Sequence, residues 1–337
     1  MPLALFVAQT KLNDYPNPEA IEQAAAALLN KESASVEKSW PNVRIVNLAF
    51  DPGAQDEILF LREEILKVQD PTIRDFLMLA LLASLEEASY TAKDGQFLRL
   101  VTRHPKRIRD VFGGKISRMM QDVRMQALNA TNYPSGSARI QLGDARELPD
   151  AVKQYSGMVS AVITSPPYLN RYDYSRTYAL ELCLMYDKNG DPSVQDFEDL
   201  RNIRHSLLRS HIESRPSMTN LVNLDALGEI LTNLNGQQLN NARIPIMIRG
   251  YFEDMNLVIK NLAEMLKGGG KVALVVANAR FAGELIPVDL MLSELADAYD
   301  LKTEQIWVTR YKGNSSQQMG KYGRVPVRES IIFWSKC

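Results

Sequence analysis

Along the first hundred residues apolar side chains recur at helical spacing. After residue 138 they gather into short runs separated by turns, which predicts a helical region followed by an α/β region. Residues 2–31 read as two helices parted by the break Asn13-Asp14-Tyr15-Pro16-Asn17-Pro18. Residues 57–100 read as a helical block with Ile58, Leu59, Leu61, Ile65, Phe76, Leu77, Leu79, Ala80 and Leu82 on apolar faces. Strands are expected at 138–142, 158–164, 271–277, 304–309 and 329–334, and residues 43–50 also carry a strand-like run. The polar, Asn- and Arg-rich stretch 186–247 interrupts the α/β pattern with helical spacing. The expected organisation is a mainly helical region over 1–135, an α/β core over 136–185 and 248–337, and a helical insertion over 186–247, an edge suited to substrate or target contacts.

Composition adds limits more than direction. With 337 residues, 45% of them hydrophobic, the chain can bury a sizeable core. A net charge of -1 neither points to nor excludes nucleic acid. Cys183 and Cys337 are too few and too far apart for a disulfide framework or a cysteine-rich zinc site, which suits a reducing compartment, and a cytoplasmic protein is expected. The first residues lack a basic leader and no apolar run is long enough to span a bilayer, so no membrane role is expected. Between residues 99 and 115, Arg99, Arg103, Lys106, Arg107, Arg109 and Lys115 face only Asp110. Such a cluster suits phosphate contact, with a solvated helix face as the plainer and favoured reading.

The strongest chemical signal is Val162-Ile163-Thr164-Ser165-Pro166-Pro167-Tyr168, a strand running into a double proline and an aromatic. Two adjacent prolines fix two dihedrals and remove two donors, leaving carbonyls held outward as acceptors. An exocyclic amine needs acceptors for its hydrogens and a plane to stack on. Ser165, the Ser165 and Pro166 carbonyls and Tyr168 supply these; a strand-ending turn capped by a tyrosine is the plainer alternative. Upstream, Arg139-Ile140-Gln141-Leu142-Gly143-Asp144 reads as a strand ending in an acidic turn. Downstream, Gly268, Gly269 and Gly270 are turn glycines between a helix and a strand, without the helix and Ser/Thr that a phosphate loop requires. The polar loop with Asn314, Ser315, Gln317, Gln318, Lys321 and Arg324 offers amides for base edges and cations for phosphates, or is simply a solvated hairpin loop. Cys183, flanked by apolar residues, reads as core.

The stretch from Thr164 to Tyr168 is similar to the Ser-Pro-Pro-Tyr motif of amino-group DNA methyltransferases, a form most often associated with N4-cytosine; N6-adenine enzymes more often have Asp or Asn where Ser165 stands. This resemblance implies an α/β fold with a class I, Rossmann-like methyltransferase sheet and helical additions, S-adenosyl-L-methionine as cofactor, and DNA as substrate. It assigns Ser165, Pro166, Pro167 and Tyr168 to the target-base pocket and Asp144 and Thr164 to the cofactor. Arg171, Tyr172, Lys321 and Arg324 are expected along the DNA.

The resembled family also carries a Gly-rich turn after its first strand and an acidic residue after its second, and neither is found before residue 138. Residues 2–11 resemble the helix after the second strand, so the sheet is expected to be incomplete, with its first two strands absent. Each buried backbone group left unpaired costs about 1–3 kcal/mol. A second polypeptide supplying the Gly-rich motif, a homodimer, or a local segment such as 42–50 is expected to fill the gap, the alternative being a truncated or mis-started enzyme. A non-catalytic DNA-binding or specificity subunit, and a methyltransferase acting on RNA or protein, remain as alternatives.

Overall fold

The computed structural model describes residues 1–37, 39–94, 97–129, 138–186, 193–216, 222, 224–313, 320, 322–323 and 325–337. The chain forms two compact units, residues 1–142 with 174–204, and residues 143–173 with 205–337.

The first unit is helical: α1 (Pro2–Leu12), α2 (Pro18–Leu29), α3 (Arg44–Ala49), α4 (Pro52–Leu66), α5 (Pro71–Ser84), α6 (Ile108–Asn129), and α8 (Tyr174–Thr177), α9 (Ala179–Leu184) and α10 (Phe197–Ser206), the last crossing the unit boundary. Three of its helices begin the same way. Asn17, Asp51 and Asp70 accept from the amides of Ala20, Ala54 and Thr72, and each is followed by a proline at the first helical position, whose missing N–H would have been unpaired there anyway. Phe76, Leu77, Ile58, Leu61, Ile65 and Phe112 fill the centre of this unit.

Two expectations fail here. The end of the 57–100 block is a hairpin, β1 (Thr91–Asp94) paired with β2 (Phe97–Leu100). Residues 43–50 form helix α3, not a strand, and so do not fill the sheet. The run satisfies both periods, and the helical one buries Val43, Val46, Ala49 and Phe50 together.

In the second unit, after the short α7 (Asp150–Lys153), β3 (Val159–Thr164) leads a four-stranded mixed sheet with β4 (Leu266–Ala277), β7 (Leu301–Lys312) and β8 (Val327–Lys336), in the order β3-β4-β8-β7. β3 runs parallel to β4, and β8 is antiparallel to both of its neighbours. The expected strands at 158–164, 271–277, 304–309 and 329–334 are therefore present. Helices α11 (Asp225–Asn235), α12 (Ile244–Met265) and α13 (Val288–Asp297) share one core with Val272, Leu274, Val276, Ile332 and Trp334, the alternate residues of the central strands. The hairpin of β5 (Ala279–Phe281) and β6 (Glu284–Ile286) turns through Ala282 and Gly283, both at positive φ as a tight two-residue turn requires. Gly270 is needed for close approach: a Cβ there would lie 2.8 Å from the Lys267 carbonyl.

Residues 138–142 do not form the expected strand. They belong to no ladder, and Leu142 is 50% exposed. An alternating run becomes a strand only where a sheet edge offers its backbone partners. Among the described residues β3 pairs on one side alone, and its outward-facing Ile163 is 84% exposed.

Candidate active site

Thr164, the last residue of β3, pairs with Leu274, so residues 165–168 leave the sheet at the carboxyl end of its parallel pair, where open α/β sheets bind ligands. Leu169, fully buried, pins the turn to the core. The Asn170 amide donates to the Tyr168 carbonyl at 2.7 Å, and the Tyr172 amide to Asn170 Oδ1 at 3.1 Å. Arg171 between them has φ of 68°, a left-handed conformation that costs a non-glycine residue energy and is concentrated at functional sites. Pro166 and Pro167 are half-buried, whereas Ser165 is exposed. Among the described residues the Ser165 hydroxyl makes only long contacts, 3.4 Å to the Val275 carbonyl and 3.5 Å to the Tyr168 hydroxyl, which leaves it available to a ligand.

Tyr168 is held more firmly. Its hydroxyl donates to Glu329 Oε1 at 2.9 Å, and Lys312 Nζ lies 5.2 Å from its ring centroid. Glu329 also accepts from Lys312 Nζ at 2.6 Å and from Arg310 Nε. Burial, with the Glu329 carboxylate beside it, raises the Tyr168 pKa. The Arg310 hydrogen bond, with those from Lys312 and Tyr168, holds the Glu329 carboxyl down at about 2. Sequence inspection passed over Glu329; the signal available was a carboxylate at the head of the apolar run Ile331-Ile332-Phe333-Trp334.

This pairing fixes the sign of a pH effect. An unfolded glutamate takes up its proton near 4.5, and the folded one near 2. The contribution of Glu329 to stability is thus complete above about 4.5 and is lost as pH falls toward 2. The difference in urea midpoint between wild type and Glu329→Gln is expected to shrink over that window. A difference independent of pH would show that the carboxylate is not ion-paired.

Asp144 occupies a turn over residues 143–147. Gly143 packs against Pro149, whose Cγ would lie 2.5 Å from any Cβ at that position. Both Asp144 carboxylate oxygens receive Arg146, Oδ1 from Nε at 3.0 Å and Oδ2 from Nη2 at 2.5 Å. Burial opposes ionisation, but these bonds outweigh it and keep the Asp144 carboxyl below the usual range. Arg146 reaches on to Asp254 Oδ2 at 3.2 Å, and Asn261 donates to the Ala145 carbonyl at 2.8 Å, seating the turn on α12.

The remaining expected site residues are less concentrated. The Arg171 guanidinium lies 5.9 Å from the Phe281 ring centroid, and burial lowers its pKa. Tyr172 follows it in the same loop. Lys321 and Arg324, with Asn314, Ser315, Gln317 and Gln318, lie outside the described residues. In the first unit, Arg103 donates to the carbonyls of Glu86, Ser89 and Thr91, and Arg109 pairs with Glu57 while donating to carbonyls of Leu29 and Lys31. Part of the basic run is therefore internal bracing. Cys183 lies inside α9 with its thiol pushed up to about 12 by burial, while Cys337 is exposed. A disulfide-exchange reagent is expected to titrate one thiol in the native protein and both in denaturant; two fast thiols in the native state would contradict the burial of Cys183.

No protein-family model matches the chain. The Type II methyltransferase M.BsoBI of Geobacillus stearothermophilus is 29% identical over 370 residues, covering 95% of this chain and 71% of that protein. The Type II methyltransferase M.AvaI of Nostoc sp. (strain PCC 7120) is 36% identical over 318 residues, covering 87% of this chain and 65% of its own length, and M.AvaI of Anabaena variabilis matches equally well. The chain thus spans about two thirds of the length of these relatives. Among solved structures, one assigned as a DNA modification methylase from Thermus thermophilus aligns over 58% of this chain and 50% of that one, at 12% identity and a TM-score of 0.27. Over most of its length, then, the chain is similar to Type II methyltransferases.

Proposed function

We propose that this chain carries the target-base pocket of an S-adenosylmethionine-dependent DNA methyltransferase acting on an exocyclic amine, with cytosine N4 the first choice from Ser165. The observation that carries this reading is the Ser165-Pro166-Pro167-Tyr168 turn at the carboxyl end of β3, with Ser165 exposed and the half-buried aromatic tied to Glu329. The similarity to Type II methyltransferases supports it. A base taken out of the duplex would place its amine against the Ser165 hydroxyl and the Ser165 and Pro166 carbonyls, with its ring on Tyr168. The cofactor, when bound, supplies an electrophilic methyl group. The chain's own part is to orient the amine lone pair and accept its hydrogens, so catalysis is mainly positioning. No base is needed before transfer, since the amine loses its proton after it gains the methyl. Arg171 and Tyr172, with Lys321 and Arg324, would lie along the DNA.

Asp144 and Thr164 suit one side of the cofactor, an acceptor at a turn and the strand end facing the methyl group. A second polypeptide, or a second copy of this chain, would supply the Gly-rich holder of the methionine end. Among the described residues β3 pairs on one side alone and Ile163 is exposed, which supports such a completion. Isothermal titration of this chain alone with S-adenosylmethionine is expected to give no saturable heat at micromolar concentration, and the completing partner is expected to raise both affinity and thermal midpoint. Tight binding by the chain alone would refute the split site. Labelled methyl transfer is then measured to unmethylated DNA, RNA and protein in parallel. Label in DNA is expected; label only in RNA or protein, or in none with the partner present, would overturn the reading.

The engagement of both Asp144 oxygens by Arg146 favours a second reading, a DNA-binding or specificity subunit that holds no cofactor. It predicts DNA affinity unchanged by S-adenosylmethionine, whereas the enzyme reading requires the two ligands to be coupled.

A further inference from the structure

We infer that Glu329 is a positioning residue of the pocket, its carboxylate fixing the Tyr168 hydroxyl and with it the plane on which the target base stacks. The inference rests on the methyltransferase reading and assigns a part of that site which the Pro-Pro-Tyr motif does not contain.

The sheet places Glu329 for this task. On β8 it stands opposite Ala277 of β4 and Arg310 of β7, at the end of the sheet where β3 releases the Ser165 turn. A register shift between Val308 and Arg310 sets Arg310 opposite Glu329, and Lys312, two residues on, shares its side of the strand. Glu329 is only 6% exposed, and its carboxylate receives three donors: Arg310 Nε, Lys312 Nζ at 2.6 Å and the Tyr168 hydroxyl at 2.9 Å. The two cations already more than offset its single negative charge. The third donor is an uncharged phenol from a loop 161 residues away in sequence. For Tyr168 the result is a ring restrained twice, through its hydroxyl by Glu329 and across one face by the Lys312 ammonium at 5.2 Å. A phenyl ring on a loop otherwise turns about two side-chain bonds, and a misplaced stacking plane costs orientation and therefore rate.

The test is a double-mutant cycle in the completed enzyme with Glu329→Gln, Tyr168→Phe and the pair, reading kcat at saturating DNA, DNA affinity and thermal midpoint. Glu329→Gln is expected to lower kcat by about tenfold or more with DNA affinity changed by less than about threefold, and in the Tyr168→Phe background its cost is expected to fall below about threefold. Glu329→Asp, which keeps the charge but retracts the carboxylate by one methylene, is the second variant if Glu329→Gln folds poorly, and the same loss and the same non-additivity are expected of it. Equal losses in both backgrounds would overturn the inference, since Glu329 would then act through stability or through its cations alone. Wild-type transfer with both Glu329 variants unimpaired overturns this inference only, whereas absence of wild-type transfer overturns it together with the reading it rests on.

Discussion

Replacing Tyr168 by alanine is expected to lower methyl transfer roughly 5- to 150-fold, the kinetic equivalent of the 1–3 kcal/mol that stacking a base on an aromatic ring contributes. Stability should change far less. Tyr168 is half-buried at the rim of its unit, and its hydrogen bond to Glu329 is one of three, so Arg310 and Lys312 still satisfy that carboxylate in the variant. The expected loss is on the order of 1 kcal/mol, a shift of a few degrees in thermal midpoint. Tyr168→Phe keeps the stacking surface and should be milder in transfer. The measurement pairs initial rates per folded molecule with thermal unfolding of the same preparations. An alanine variant that unfolds extensively, yet whose folded fraction transfers methyl at the wild-type rate, would identify Tyr168 as core and remove it from the pocket.

What the sequence disclosed follows from how local each determinant is. The Ser165 to Tyr168 turn was legible because proline fixes its own backbone, and β3, β4, β7 and β8 because short runs rich in β-branched and aromatic residues between turns read as strands, whether buried or not. The Asn17, Asp51 and Asp70 helix starts are likewise local chemistry. Residues 43–50 misled because their apolar positions fit both periods, and which period wins depends on what lies around the segment. Residues 138–142 misled for a complementary reason, since a strand needs a neighbour that the run itself does not encode. Glu329 went unread because its meaning arises from Tyr168, Arg310 and Lys312, which strand register brings to it. Asp144 was expected at the cofactor, but its Arg146 clasp, two residues away, was overlooked although the spacing was on view.

The cluster beneath that clasp gives the largest stability effect to be expected in the second unit. Asp254, 1% exposed on α12, accepts from the Arg209 amide at 2.8 Å, from Arg209 Nε at 3.0 Å and Nη2 at 2.6 Å, and from Arg146 Nη1 at 3.2 Å. Glu253 takes the remaining arm of the same guanidinium, Arg209 Nη1, at 2.8 Å. The stem of Arg209 lies on Gly250, where an added Cβ would meet its Cδ at 3.0 Å, so the guanidinium has little room to swing toward water. Asp254→Ala therefore leaves the buried Arg209 paired with Glu253 alone and strips the acceptor from its amide, Nε and Nη2, and buried donors left without a partner cost about 1–3 kcal/mol each, so a loss of about 3 kcal/mol or more is expected. Asp254→Asn keeps acceptor and shape and should cost less. Urea unfolding reads the loss, with the transition of the second unit expected to move first. Amide exchange should rise at residues 144–147 before it rises in β4, because Arg146 loses its anchor on α12 while the sheet keeps its ladder. A loss below about 1 kcal/mol, the value of an exposed pair, would show that solvent reaches Arg209 and that the cluster is not a buried one.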